Sequence, residues 1–331
     1  MPVVVKLSPI VSILIANYNC AEFLCTALDS VAAQTFRDFE CIIVDDASID
    51  NSIDIIKKYV KRDKRFHLIQ HKTNRGLAAV RNTGLDAARG EYIAFLDSDD
   101  AFTENAIKSL YMNAKMYNAD ITGGAAVTVP SDFVFIKSEN PPHFTQVPTI
   151  FFIDNNPAAI LVNLSRVHPS HKLPWVWRRL FKRKTIETTR FDEAVKQQNE
   201  DLCFMLDAFL NTGRYLEIND SVMYHRINKN SITGSPFGQS HFLHFPATLR
   251  HLYGLRGKYP ENLLYKGYMQ YMFNTVVITA LKKGYGDIAA RTMRRVYRTP
   301  YLPLKYLSKK QRLIFWLFMH SLIPSRYARK K

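Results

Sequence analysis

The chain has 331 residues, 47% hydrophobic and 22% charged, a composition that fits a folded globular protein and excludes general disorder. Its net charge of +16 and isoelectric point near 9.6 call for an acidic partner: nucleic acid, an anionic membrane or a phosphorylated substrate. The longest apolar stretch, Leu313 to Ile323, is interrupted by His320 and Ser321, and a spanning helix needs about 20 predominantly apolar residues, so no span is expected.

Short apolar runs alternate with helical patterns from the start. Val11 to Ala16 reads as a buried strand, and Phe23, Leu24, Ala27, Leu28 and Val31 then recur at helical spacing. Phe39 to Val44 is a second strand. Ile53, Ile55, Ile56, Tyr59 and Val60 mark a second helix, which Ser48 or Asp50 would cap. Phe66 to Gln70, Leu77 to Ala88, Tyr92 to Leu96 and Glu104 to Tyr117 continue the alternation. Near-continuous apolar strands separated by helices predict an α/β fold with a mostly parallel sheet covered on both faces.

Beyond Asp120 the periodicity weakens. Pro130 to Pro148 is rich in turn residues, Trp175 to Arg183 is aromatic and basic, and Asn199 to Leu210 reads as a helix. From about Phe242 a helical, basic and aromatic region follows. Three segments are expected: 1–120 and 121–235 as halves of one domain, and 236–331 as the helical region. After His241 the only acids are Glu261 and Asp287, so the basic excess is largely C-terminal. Cys20, Cys25, Cys41 and Cys203 form no CxxC pair, and the N-terminus lacks a signal-peptide pattern. A reduced, cytoplasmic setting is expected.

In open α/β sheets ligands bind beyond the carboxyl ends of the strands. The first strand ends in Ala16-Asn17-Tyr18-Asn19, the second in Asp45-Asp46-Ala47-Ser48-Ile49-Asp50, the fourth in Asp97-Ser98-Asp99-Asp100. Carboxylates gathered so closely repel one another unless a cation sits among them. Mg²⁺ or Mn²⁺ holding a diphosphate would meet that need, since such ions bind through one or two carboxylates plus substrate phosphates. Asp50 and Asp100, taken singly, read as turn or cap residues.

The runs VSILIANYN, SVAAQTFRDFECIIVDDASIDNS and NRGLAAVRNTGLDAARGEYIAFLDSDD resemble the nucleotide-sugar-binding half of family 2 glycosyltransferases. The resemblance covers about the first 120 residues closely. It implies a GT-A fold and an inverting transfer of sugar from a nucleotide-diphosphate donor, a UDP-sugar, to a glycan or lipid-linked glycan acceptor. The process implied is synthesis of cell-surface polysaccharide or lipopolysaccharide. By that resemblance Tyr18 borders the nucleobase, with Ala16 and Asn17 lining the same pocket, and Asp46 accepts a hydrogen bond from the base. Asp97 and Asp99 form a DxD motif around Ser98. Asp99 is then the principal metal ligand, and Asp97 faces the ribose or the metal. Asn74 and Gly76 shape the loop after the third strand. Arg81 either approaches the diphosphate, holds the DxD carboxylates, or is a solvated helix charge. Ala47 and Ile49 stand where the family frequently has Gly and Thr.

Further on, Lys172 to Arg183 resembles the aromatic segment before the family's acceptor site, where Trp175 and Trp177 serve as a sugar platform or as core. Glu200-Asp201 resembles the ED motif that supplies the catalytic base; Asp201 is the expected base and Glu200 the competing choice. Tyr224-His225-Arg226 with Asn230 to Thr233 resembles the closing motif. There His225 is a candidate metal ligand or diphosphate contact, Arg226 a candidate partner for donor phosphates, and Ser231 and Thr233 loop-ordering residues.

The basic C-terminal region suits an anionic membrane surface or an ordinary helical domain with solvated basic faces. No nucleic-acid motif accompanies it. A nucleotidyltransferase would need a phosphate-gripping Gly-rich loop, and Ala16 to Glu22 contains no Gly. The other reading weighed is a nucleotide-sugar-binding or membrane-associated recruitment protein without catalysis.

Overall fold

A computed structural model describes residues 8–138, 150–154, 175–195, 200–227, 244–261, 265, 268–269, 272–297 and 299–320. Asn199, Asn230, Ser231, Thr233 and the expected loop beyond residue 138 lie outside the described residues.

Strands β1 (Val11–Asn17), β2 (Phe39–Asp45), β3 (Phe66–Gln70) and β4 (Tyr92–Asp97) pair in parallel in the order β3-β2-β1-β4. Because they are apolar at successive positions, both faces are covered. Val11, Ile13 and Ile15 join one core layer with α1 (Ala21–Ala32), α2 (Ser52–Arg62) and α4 (Ala106–Met116). Leu14, Ile42 and Val44 join the other with α3 (Leu77–Ala87). The register sets Asn17 opposite Asp45 and Ala16 opposite Asp97. Three polar strand ends therefore emerge at one level. At the other end Gly90 comes so close to β1 that a Cβ would lie 2.5 Å from the Ser12 nitrogen, so only glycine fits there.

The second half of the sheet is mixed. It comprises β5 (Ala101–Phe102), β6 (Ile121–Val129), β7 (Ile150–Asp154), β8 (Arg179–Lys182) and β9 (Tyr215–Arg226). β8 pairs antiparallel with β4 and β6, β6 runs parallel to β9, and β5 and β7 pair antiparallel with β9. The parallel arrangement expected from the sequence thus holds for the first half, and β8 joins the two.

Helix α5 (Glu200–Leu210) packs on the α3 side of the sheet. Phe204 stacks on Phe191 at 4.1 Å and meets Phe95 and Phe181 edge-on at 5.8 and 5.9 Å. Burying such a ring contributes about 1.5–3 kcal/mol. The other side of α5 meets α6 (Phe245–Gly254), and Leu206 joins the separate core that α6 shares with α7 (Gly286–Tyr297) and α8 (Lys309–Met319). The Tyr259 hydroxyl donates to the Leu206 carbonyl at 2.6 Å. His251 on α6 lies between Asp192 and Asp207 at 3.6 and 3.3 Å, and its pKa is raised by these partners against the effect of burial. No helix among the described residues is long and apolar enough to cross a membrane.

Candidate active site

The turns after β1 and β2 are built as one unit. Asn17 donates through Nδ2 to Asp45 at 2.7 Å and to Ser48 at 3.2 Å, and Ser48 donates to Asp45 at 2.6 Å. The backbone amide of Asn19 donates to Ser48, and that of Ile49 to the Asn19 side chain. Asn19 and Ala47 both have positive φ, 47° and 61°, which is why this compact pair of turns favours Asn and Gly. Asn17 Oδ1 is buried with no hydrogen-bond partner among the described residues. Tyr18 beside it is 50% exposed, and Ala16 is partly exposed. Asp50 accepts from the amides of Ala21 and Ser52, so it anchors α1 as well as its own turn.

Asp46 is 2% exposed. It accepts from His71 Nδ1 at 2.7 Å and from the amides of Arg75 and Gly76 at 2.9 and 2.7 Å. Its carboxylate fixes the loop into α3, where Gly76 has φ 90° and Asn74 is exposed. A nucleobase would share an acceptor that already has three internal donors.

Arg81 is no solvated helix charge: it is 4% exposed and lies at the centre of the carboxylates. Nη2 donates to Asp97 at 3.0 Å, and Nη1 donates to Asp201 at 2.5 Å and to Glu200 at 3.2 Å. Its guanidinium also lies 5.2 Å from the Phe191 ring centre. Burial works to lower the Arg81 pKa, but Asp201, Asp97 and Glu200 together raise it, so it stays charged. The other oxygen of Asp201 accepts from the Val176 amide at 3.3 Å. Glu200 Oε2 is buried without a partner among the described residues. Burial pushes the Asp201 carboxyl up to about 7, opposed by Arg81 and reinforced by Glu200 and Asp97. One guanidinium thus ties the end of β4 to the start of α5.

Asp99 is pushed up to about 7 by burial and by the adjacent Asp100 and Asp97. Ser98 is buried and hydrogen-bonded to the Cys20 side chain. Among the described residues no three His, Cys, Asp or Glu side chains are grouped to hold a metal. Arg81 compensates Asp97 on one side only, and Asp99, crowded by Asp100 and Asp97, fits a divalent ion that completes its shell with phosphate oxygens.

Asp100 is not merely a turn residue. It is 2% exposed, accepts from the Arg226 amide at 2.9 Å, and lies 3.2 Å from His225 Nδ1. That hydrogen bond raises the His225 pKa despite burial. Arg226, 4% exposed, spends Nε on the Asp99 carbonyl at 2.8 Å and Nη1 on the Ser131 carbonyl at 2.5 Å. An anion would have to displace these bonds to reach it. His225 stacks on Trp177 at 4.8 Å, and Trp177 stacks on Trp175 at 4.4 Å. Trp177 belongs to the core, whereas Trp175 packs against it partly exposed.

The sequence reading names Asn19 and Asp45 among the polar strand ends without giving them a role, takes Asp100 for a turn or cap residue, and does not reach the Val176 amide. The polar run after each strand was the available signal for the first three; a backbone amide leaves none.

A family model described as glycosyl transferase family 2 matches residues 12–204. The chain is 33% identical over 231 residues to the uncharacterized glycosyltransferase EpsJ of Bacillus subtilis, across 69% of this chain and 64% of that one. It therefore spans just under two thirds of that relative. It is 42% identical over 100 residues to the Escherichia coli UDP-Glc:alpha-D-GlcNAc-diphosphoundecaprenol beta-1,3-glucosyltransferase WfaP, across 30% of this chain and 39% of that one. Among solved structures it is similar to S. aureus TarS 1–349 in complex with UDP-GlcNAc, with a TM-score of 0.58, 19% identity, and coverage of 96% of this chain and 82% of that one. At that identity the likeness establishes the fold, in agreement with the GT-A expectation.

Proposed function

The chain belongs to glycosyl transferase family 2, and we propose that it moves a sugar from a UDP-sugar to a hydroxyl of a glycan or lipid-linked glycan, with inversion, in building a cell-surface polysaccharide or lipopolysaccharide. The observation that carries this reading is the Arg81 bridge. It holds a donor-side carboxylate, Asp97, and a buried carboxylate poised near neutrality, Asp201, in one network. TarS was solved with UDP-GlcNAc and WfaP is named for UDP-Glc and a diphosphoundecaprenol acceptor, which supports the donor and acceptor classes.

Tyr18, Ala16, Asn17 and Asp46 border the nucleobase pocket, and the Asn74 loop closes its side. Asp99 with Asp97 would hold Mn²⁺ or Mg²⁺ together with phosphate oxygens of the donor; His225, engaged by Asp100 and Trp177, is not grouped with them as a third ligand. When bound, the ion would stabilise the charge developing on the diphosphate. Asp201 is the general base. The acceptor oxygen bonds to the anomeric carbon as the bond to diphosphate breaks, Asp201 takes the hydroxyl proton, and the electron pair leaves with UDP. Arg81 and the Val176 amide orient Asp201, while Glu200 shares the guanidinium. Trp175, partly exposed and stacked on Trp177, would serve as the platform for an acceptor ring.

Thermal melting with UDP, GDP and dTDP, each with Mn²⁺ and with chelator, tests the donor site. A metal-dependent rise with UDP is expected, because a ligand that binds the native state stabilises it by mass action. Asp99→Ala should abolish that rise. Asp201→Asn should keep it and lower kcat by about 10²–10⁴. Full turnover in both variants would refute the assignment. A UDP response without turnover over a wide acceptor panel would favour the binding-protein reading.

A further inference from the structure

We propose that α8 docks the protein on an anionic membrane surface through the face it turns to solvent. Phe315, Phe318 and Met319 are buried in the C-terminal core. At about 100° per residue, the opposite arc carries Trp316, Lys309, Leu313, Leu317 and Lys310, and Arg312 is exposed at its border with the buried side. The outward face of a helix in a folded protein is ordinarily polar. Here Leu313 and Trp316, 58% and 42% exposed, stand on either side of Lys309, and Arg312 and Lys310 lie at the edges. Apolar side chains at headgroup depth with basic neighbours reaching phosphate is the arrangement of an interfacial helix.

The face is held firmly. Ser308 and Gln311 form a reciprocal capping box at the start of α8. Arg294 of α7 donates through Nε to the Met319 carbonyl at 2.9 Å at its end. Nearby acids do not offset the charge. Glu261 is paired with Lys305 at 2.6 Å and Arg256 at 3.5 Å, and Asp287 lies in the first turn of α7, which also exposes Arg291 and Arg295.

Charge complementarity selects the occupant. A second copy would bring an equally basic face. The following sequence, 321–331, contains Arg326, Arg329, Lys330 and Lys331 and no acid, so it brings no charge complementary to this face. A polynucleotide would satisfy the charge but has no use for Leu313 and Leu317. An anionic bilayer accommodates both the charge and the apolar residues.

Co-sedimentation of the full chain with phosphatidylcholine vesicles, with and without phosphatidylglycerol, tests this. Binding should require the anionic lipid and should be released by salt. Each basic residue near such a surface contributes about a factor of five. The triple variant Lys309→Gln, Lys310→Gln, Arg312→Gln should therefore bind about a hundredfold more weakly. Leu313→Ser with Trp316→Ser should also weaken vesicle binding, and both variants should keep the wild-type melting temperature. Should a variant fail to fold, the salt and lipid dependence of the wild type decides. Absent or lipid-independent binding, or a folded variant that binds as wild type, overturns the proposal. It is equally overturned if the same residues instead support oligonucleotide binding, or a concentration-dependent dimer, without vesicle binding.

Discussion

At position 47 an alanine holds φ 61°, a conformation that costs an L-residue roughly 1–2 kcal/mol. Replacing it with glycine removes that cost but adds about 0.5–1 kcal/mol of backbone entropy. Ala47→Gly should therefore raise unfolding stability by about 0.5–1 kcal/mol, read as a higher denaturation midpoint at unchanged slope. Asp201 sets a second expectation. Its carboxyl lies at about 7 in the folded protein and near 4 in an unfolded chain. As pH falls from about 7 to about 4, the folded state gains a proton that the unfolded chain still lacks. The ligand-free protein should become more stable on that descent, by at most about 1.4 kcal/mol per pH unit, and Asp201→Asn should flatten the trend. Turnover should rise through pH 7 as Asp201 ionises. Arg81 opposes the upward shift, so Arg81→Gln should move that limb to higher pH. Asp97, Asp99 and Asp201 were legible in the sequence because each sits in a short motif. The role of Asp100 was not, because its partners His225 and Arg226 lie more than a hundred residues away in sequence.

Elements decide how accurately those residues are placed. Helix α5 carries Glu200 and Asp201, and its seat is the ring cluster of Phe95, Phe181, Phe191 and Phe204. Phe204→Ala should cost about 3–5 kcal/mol of stability. If the helix shifts, turnover should fall more than UDP binding, because the proposed nucleobase pocket is built on β1 and β2. Calorimetry together with UDP titration separates the two effects. The first four strands were readable because each is a near-continuous apolar run ending in polar residues. β9 was not read as a strand. Its middle, Asn219-Asp220-Ser221, looks like a turn, yet the strand passes through it where its pairing with β6 is irregular. β8 is four residues long and begins beside Arg178, buried with φ 64°. Tertiary pairing rather than local propensity makes these segments strands.

At the scale of the molecule, the C-terminal helices form their own core yet share α5 with the sheet layer. The Tyr259 bond to Leu206 and the His251 contacts to Asp192 and Asp207 cross the same boundary. A chain ending at residue 235 should therefore melt well below the full chain or fail to fold, a result that far-UV dichroism on heating would show. The helical character of this region was legible from its periodicity, but its dependence on α5 was not, because one helix serves two cores.

The Arg81 guanidinium contacts both Asp97 and Asp201. Charge drawn away at one carboxylate changes what the other experiences. Thermodynamic reciprocity then requires that donor occupancy and the proton affinity of the base influence each other by the same factor. On the proposed roles, a donor bound with its divalent ion at Asp97 would relieve Asp201 of its neighbour's negative charge and favour its ionised form. An ionised Asp201, in turn, competes for the guanidinium and leaves Asp97 freer to hold the donor. The base would thus be armed by the arrival of the sugar nucleotide, which favours an ordered encounter in which donor precedes acceptor and leaves a share of the base protonated near neutral pH while the pocket is empty.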